Sequence, residues 1–290
     1  MGDAKKLIVK PISAGDAARI IRELHYSGKV VQNSQVHLGV FMDGKCGGAM
    51  SFGPSLDKRK IQGLVAGTLW NEFLELNRMA FADWLPRNGE SRCIGFAMRW
   101  LRKTYPWLKW VVSFADGTQC GDGTIYRASG FVLTGIRKNT SLWQAPDGHA
   151  GDDVTIKAGN PNRRVFSRTS LTEGKSKQQR QAREIISRTT VTKGTHTNSV
   201  GGGASMRAYK DAGFEPIPGN QLRYIYFLDP TARERLTVPV MPFSEIDKRG
   251  AGMYKGKAVS RAGSVIESTA GFQPAGGGSS PTPALQSSNG

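Results

Sequence analysis

The side chains best suited to chemistry fall in a few short stretches. Asp116 closes the apolar run LKWVVSFAD, and the carboxyl end of a strand is where open α/β sheets present ligands. An acid there can take a proton from an amine or hold a metal. It can equally form an Asx turn or cap a helix ahead of Gly117. Tyr126, in TIYRASGF, is either a proton donor, its hydroxyl having a pKa of about 10, or a core tyrosine. His25 and Tyr26 close the segment DAARIIRELHY. A helix C-terminus favours a protonated His, and the Tyr ring offers a surface on which an extruded base can stack. Arg78 lies on the apolar run FLELNRMAF, where its charge needs a carboxylate such as Glu75, a carbonyl or a phosphate. Ser91 stands near a helix start and either caps it or touches a cofactor. His37, His149 and His196 have no ligand spacing to a second His or Cys. A metal site would have to be assembled from distant residues such as His25 and Asp116.

Alternating elements must position these groups. LIVKPI reads as a strand, and Ser13 to Asp16 as a capping box opening a helix with Ile20, Ile21 and Leu24 on one face. HLGVFMDGKCGGAMSFG reads as a hairpin turning at Asp43-Gly44, a dipeptide that tolerates positive φ. FLELNRMAF is a strand, ESRCIGFAMRWLRKTYP a helix, and LKWVVSFAD a buried strand. TIYRASGF is a short helix stopped at Gly130, followed by the strand FVLTGIRK. After residue 158 the composition changes. Residues 160–195 hold nine Lys/Arg against two Glu, with at most one short helix from Lys177 to Ser187. SMRAYKDAGF and the strand QLRYIYFLD then resume folded sequence. These patterns divide the chain into a core over 1–158, a basic insertion over 159–203, completion of the core over 204–247 and a flexible Gly/Ser/Pro-rich tail over 248–290. SGF at 129–131 and AGF at 212–214 end two similar short helices.

The chain has 290 residues, 38% hydrophobic and 22% charged, enough to bury a core. Its net charge of +17 calls for a polyanionic partner, with nucleic acid ahead of a membrane because no helix pairs a bulky apolar face with a basic one. Three cysteines without paired spacing fit a reducing compartment, and no stretch reads as a secretory signal or a span of about 20 apolar residues. A cytoplasmic protein is expected. In the insertion, Arg163, Arg164, Arg168, Lys175, Lys177, Arg180 and Arg183 form either a phosphate-tracking arm or a solvated charged loop.

The order of elements resembles the GNAT acetyltransferase fold, an α/β (α+β) architecture with a central mixed sheet flanked by helices. That resemblance puts CoA pyrophosphate at the helix start between Asn88 and Gly95, with Ser91, Gly89 and Gly95 around it and Arg78 as a further anchor. It also implies that Tyr126 protonates a departing thiolate.

Six ordered motifs, HYSGK, LELNRMAF, NGES, SFAD, GTIYRASGF and LRYIYFLD, resemble the Mom family of bacteriophage DNA-modification proteins over about residues 8–135 and 205–245. Membership implies a transferase that converts adenine in duplex DNA to N6-carbamoylmethyladenine and so evades host restriction. By similarity its functional positions fall on His25, Tyr26, Arg78, Ser91, Asp116 and Tyr126. The implied partner is double-stranded DNA, and the implied cofactors are acetyl-CoA or a related acyl donor, with iron possible. Two other classes stay open: an acyltransferase acting on protein or RNA amines, and a noncatalytic DNA-binding protein on a GNAT scaffold.

Overall fold

The computed structural model describes residues 3–25, 27–117, 121–139, 142–145, 165–168, 171, 206–217, 219–252, 257–259 and 265–267. Strand β1 (Ile8–Pro11) leads into helix α1 (Ala14–Leu24). The Ser13 hydroxyl accepts from the Asp16 amide at 3.0 Å and donates to the Asp16 carboxylate at 2.7 Å, closing the helix start as the spacing predicts. Hairpin β2 (Val36–Met42) and β3 (Lys45–Gly53) turns at Asp43 and Gly44, with φ of 49° and 77°. A short helix α2 (Lys58–Gln62) precedes β4 (Phe73–Phe81), and α3 (Gly89–Thr104) precedes β5 (Trp110–Asp116). Helix α4 (Thr124–Ala128) is stopped by Gly130 at φ 85° and gives way to β6 (Val132–Lys138).

The main sheet has seven strands in the order β1-β2-β3-β4-β5-β10-β6, where β10 is Asn220–Phe227. All neighbours are antiparallel except β4 and β5. The mixed α/β sheet flanked by helices agrees with the expected fold class. Alternation along the strands separates two faces. On one, Met50, Phe52, Leu74, Leu76, Val111 and Leu222 pack with Cys93, Ile94 and Ala97 of α3. On the other, Ala49 and Ala80 meet Ile20 and Ile21 of α1, while Phe73, Trp110 and Val112 meet Ile61 of α2 and Val65 beyond it. Strand β4 is irregular along both edges. Its ladder with β5 runs only from Phe73↔Trp110 to Glu75↔Val112. Against β3 its register shifts so that Ser51 faces Arg78 and Phe52 faces Leu76, leaving Asn77 as the extra residue of a bulge.

The expected segment boundaries need two corrections. β7 (Leu142–Gln144), β8 (Val165–Ser167) and β9 (Glu215–Pro216) form their own small sheet in the order β8-β7-β9. Helix α5 (Met206–Asp211) lies with it, because Trp143, Leu171, Tyr209 and Phe214 make a separate apolar cluster. Part of the expected core and part of the expected insertion therefore belong to one unit between β6 and β10. At the other end, α6 (Ser244–Lys248) is followed by Ala251 buried in the main core, and β11 (Lys257–Val259) pairs antiparallel with β12 (Val265–Glu267). Regular pairing thus extends into the stretch expected to be a flexible tail. The short helix expected from Lys177 to Ser187 lies outside the described residues.

Candidate active site

The functional side chains divide between the two faces of the sheet. On the α1 face the rows of the antiparallel ladder set His37 opposite Ser51 and Ser51 opposite Arg78, and the His37 Nδ1 lies 2.9 Å from the Ser51 hydroxyl. Arg78 donates to the Lys29 carbonyl at 3.1 Å and the Asn77 carbonyl at 2.7 Å. Of the carboxylate, carbonyl and phosphate partners open to it, carbonyl oxygens take its hydrogen bonds, one of them that of Asn77 at the bulge. Asn77 itself is held by the Ser34 hydroxyl at 3.0 Å.

His25 ends α1 next to this guanidinium. Its Nδ1 accepts from the Ser27 amide at 3.1 Å and lies 2.8 Å from the Ser27 hydroxyl. That leaves the proton of the neutral ring on Nε2. Burial first, and the Arg78 charge second, push its pKa down to about 4. The helix-end effect that favours a charged His is overruled, since removing the ring from water disfavours the cation more. Glu75, on the same face, is shifted up by burial, with Ser55, Arg78 and Asn77 opposing the shift. Tyr26 lies outside the described residues.

Asp116 shares this face with Phe114 and Val112 by strand alternation. The Asn139 side-chain amide donates to its Oδ1 at 2.9 Å, and Asn139 is only 8% exposed. Helix-capping does not account for Asp116. The amide and hydroxyl of Thr124 at the start of α4 donate to Asp122, at 3.0 and 2.7 Å, and the Gly117 amide bonds the Asn220 carbonyl at 2.8 Å. Because the β4–β5 ladder stops at Glu75, the ends carrying Arg78 and Asp116 are free to part, and Glu75 sits where they separate.

The other face holds a cavity of about 590 Å³ beside the start of α3, lined by Lys5, Arg87, Ser91, Arg92, Gly95 and Arg99. Asn88 enters the helix at φ 62° with no side-chain cap. The Ser91 hydroxyl donates to the Asn88 carbonyl at 3.2 Å and caps no amide, contrary to the capping alternative. The Arg92 and Arg99 guanidiniums lie 5.1 and 4.6 Å from the Phe96 ring centroid, and Arg92 Nε is buried without a hydrogen-bond partner. A Cβ on Gly95 would meet only the Arg99 guanidinium, at 3.6 Å, so the glycine leaves room for something other than protein. Gly89 is packed more tightly, with Leu7 at 3.1 Å. Tyr126 belongs to this side. It is 7% exposed, its ring 5.4 Å from those of Phe131 and Tyr224, and Ala128 and Ser129 just beyond it line the cavity.

The residues singled out from the sequence therefore fall on both faces, and Asn77, Asn139, Arg92 and Glu75 (beyond a partner for Arg78) were not among them. Only Arg92 left a signal in the sequence, as the first residue of RCIGFA. Of the basic residues assigned to the insertion, Arg168 is exposed, and Arg163, Arg164, Lys175, Lys177, Arg180 and Arg183 lie outside the described residues.

A sequence profile of the Mom protein family matches residues 6–184. The chain belongs to the Mom protein family. The match includes His25, Arg78, Ser91, Asp116 and Tyr126, so both faces of the site fall within the family's sequence. A protein named methylcarbamoylase mom, from Escherichia phage Mu, is 38% identical over 156 residues, which is 53% of this chain and 64% of that protein. The Mom match thus spans a little under two thirds of the phage Mu protein's length. Among solved structures, the chain is similar to an IAA acetyltransferase from Bacillus cereus (9% identity, TM-score 0.37, 76% of this chain and 99% of that one). It is also similar to a GNAT family acetyltransferase from Elizabethkingia anophelis with acetyl-CoA bound (16% identity, TM-score 0.32, 46% and 81%). Membership of the Mom family rests on the sequence match and not on these two.

No helix of the described residues is long and apolar enough to cross a membrane. Iron, implied by the family resemblance, does not fit the residues described. Among them no three His, Cys, Asp or Glu side chains converge. The Arg78 charge beside His25 opposes a second cation, and the His25 Nδ1 is already taken by Ser27.

Proposed function

We propose that this chain is a DNA-modifying transferase that attaches a carbamoylmethyl-type group to the N6 amine of adenine in duplex DNA and so protects phage DNA from restriction. The observation that carries this reading is the pairing of two unlike half-sites across strands β4 and β5. One is a cation-lined groove at an uncapped helix start. The other is the set of polar side chains on the α1 face, Asp116, Arg78 and a neutral His25.

The groove suits the diphosphate of an acyl-CoA. The unpaired amides and positive dipole end of a helix start favour an anion, and Lys5, Arg87, Arg92 and Arg99 add charge around it. When bound, such a donor would supply a thioester whose carbonyl carbon, bonded by N6, gives an N6-acyl amide and a CoA thiolate; a carbamoylmethyl group is joined through its methylene carbon and calls for a further nitrogen-containing co-reactant. Tyr126 would hold the proton for the departing thiolate. Sandwiched in the core beside the groove, its ring holds one position, and a proton donor is most effective when held in place.

The acceptor side must receive a base. An adenine within a duplex is out of reach, so it is turned out of the stack towards these side chains. Its N6 lone pair is delocalised into the ring and attacks only as a proton leaves. Asp116 takes that proton, and the Asn139 amide fixes the orientation of its carboxylate. His25, held neutral beside Arg78, adds no charge to the place where the base is received. The basic insertion binds phosphate, giving an affinity that falls with salt.

Mass spectrometry of nucleosides from DNA of cells expressing the protein tests this. A new modified deoxyadenosine that disappears in Asp116→Asn is expected. Unmodified DNA, together with acylated protein or RNA amines, would overturn the assignment.

A further inference from the structure

We infer that the loop from Pro54 to Asp57 is a DNA wedge: Leu56 enters the gap left in the base stack when the target nucleotide is extruded, and the cations after it hold the flanking phosphates. The inference rests on the base-modifying reading of the site.

Leu56 is 94% exposed, the most of any large apolar side chain described, while Ser55 before it is 5% exposed. Ser55 sits beside the Glu75 carboxyl, and Glu75 feels the charge of Arg78. The root of the loop therefore lies beside the Glu75 and Asn77 stretch of β4, and Leu56 stands in solvent just beyond it. That root is clamped. The Asn33 amide donates to the Pro54 carbonyl at 3.1 Å, and a Cβ on Gly53 would come within 2.6 Å of the Asn33 carbonyl and 2.8 Å of the Asn77 side-chain oxygen. A leucine standing in water on a fixed base is poor for folding and suited to insertion, since wedges that fill or open base steps are rigidly presented apolar side chains.

Charge identifies the partner. Lys58, Arg59 and Lys60 follow directly. Asp57 neutralises one of them, lying 3.7 Å from Lys60. The Lys58 ammonium sits 3.8 Å over the ring of Trp70, itself 54% exposed, so a ring and not a carboxylate holds the cation. Leu56 and Trp70, both exposed, stand on either side of the Lys58 ammonium, so apolar and cationic groups alternate as stacked bases and phosphates do.

The test uses the full chain and two short duplexes, one intact and one with a single abasic site, read by fluorescence anisotropy at two salt concentrations. Modification of plasmid DNA is followed in parallel. Unstacking is already complete at an abasic site, so wild type is expected to prefer that duplex by about tenfold. Leu56→Ala should abolish the preference and slow modification, while Leu56→Met keeps both. Lys58→Ala with Arg59→Ala should weaken binding to both duplexes alike and flatten the salt dependence. The wedge is overturned if Leu56→Ala retains both the preference and the rate of wild type, with modification itself intact. If wild type neither binds nor modifies DNA, the base-modifying reading fails and the wedge with it.

Discussion

The two faces of the sheet solve opposite electrostatic problems with the same few strands. Around the α3 start, positive charge is concentrated. Arg92 Nε is buried and unbonded, the helix has no side-chain cap, and two guanidiniums share one phenyl ring. On the α1 face, charge is instead damped. His25 is held neutral, Glu75 is shifted towards its protonated form, and Arg78 is spent on carbonyl oxygens. The first arrangement waits for a strong anion. The second suits an uncharged, hydrogen-bonding ligand such as a nucleobase, where a loose charge would be desolvated without return. The short β4–β5 ladder, which ends at Glu75 and Val112, lies between the strands that carry Arg78 and Asp116.

Substitutions that separate the faces sharpen or break this comparison. The largest effect is expected from Asp116→Asn. Losing the proton acceptor should cut modification by about 10²–10⁴-fold while leaving acyl-CoA affinity unchanged. Equal losses on both would mean the faces are not distinct, and isothermal titration with the donor decides this. Next, Arg92→Ala should weaken donor binding by about 10- to 100-fold, the worth of a charge-assisted hydrogen bond, with no change in the turnover of bound donor. A fall in kcat at saturating donor would contradict that assignment.

A smaller effect concerns pH. His25 is held near 4 when folded, below its usual 6.5, so protonation favours the unfolded chain. Its contribution is complete above about pH 6.5 and declines as the pH falls towards 4, by about 1 kcal/mol in all once solvent screening is allowed for. Urea unfolding at pH 7 and pH 5 should show this decline in wild type and less of it in His25→Gln. Smallest is Gly95→Ala. The new methyl has space against protein and removes a helix glycine, so stability should rise by up to about 1 kcal/mol. The donor's KM should rise severalfold because the groove narrows. An unchanged KM would place the donor elsewhere.

Most of the main sheet was legible because its elements are long and carry strong patterns. FLELNRMAF, LKWVVSFAD and QLRYIYFLD are runs that only a buried strand accommodates, and the Asp43-Gly44 turn has a backbone requirement few residues meet. Helix α2 was missed because five residues without a side-chain cap leave no periodicity to read. The small sheet was missed because its strands have two or three residues each and are joined across a long insertion. Around the candidate site, the strand end at Asp116 and the helix start near Ser91 were legible from local pattern. Asn77 owes its role to a one-residue bulge, and Asn139 to a contact 23 residues away, which no local spacing announces. The protonation state of His25 depends on burial, a property of the folded chain alone.

Strand β10 has a consequence for how the protein is made. It lies between β5 and β6 and pairs with both, yet it begins at Asn220, more than 80 residues after β6 ends. As the chain leaves the ribosome, β5 and β6 exist for some time with the edges that will face β10 unsatisfied, and exposed strand edges invite pairing with other chains. Asp116 meets its ladder partner Gln221, and the α3 groove gains its Tyr226 wall, only when this late strand arrives, so one segment completes both faces at the end of synthesis.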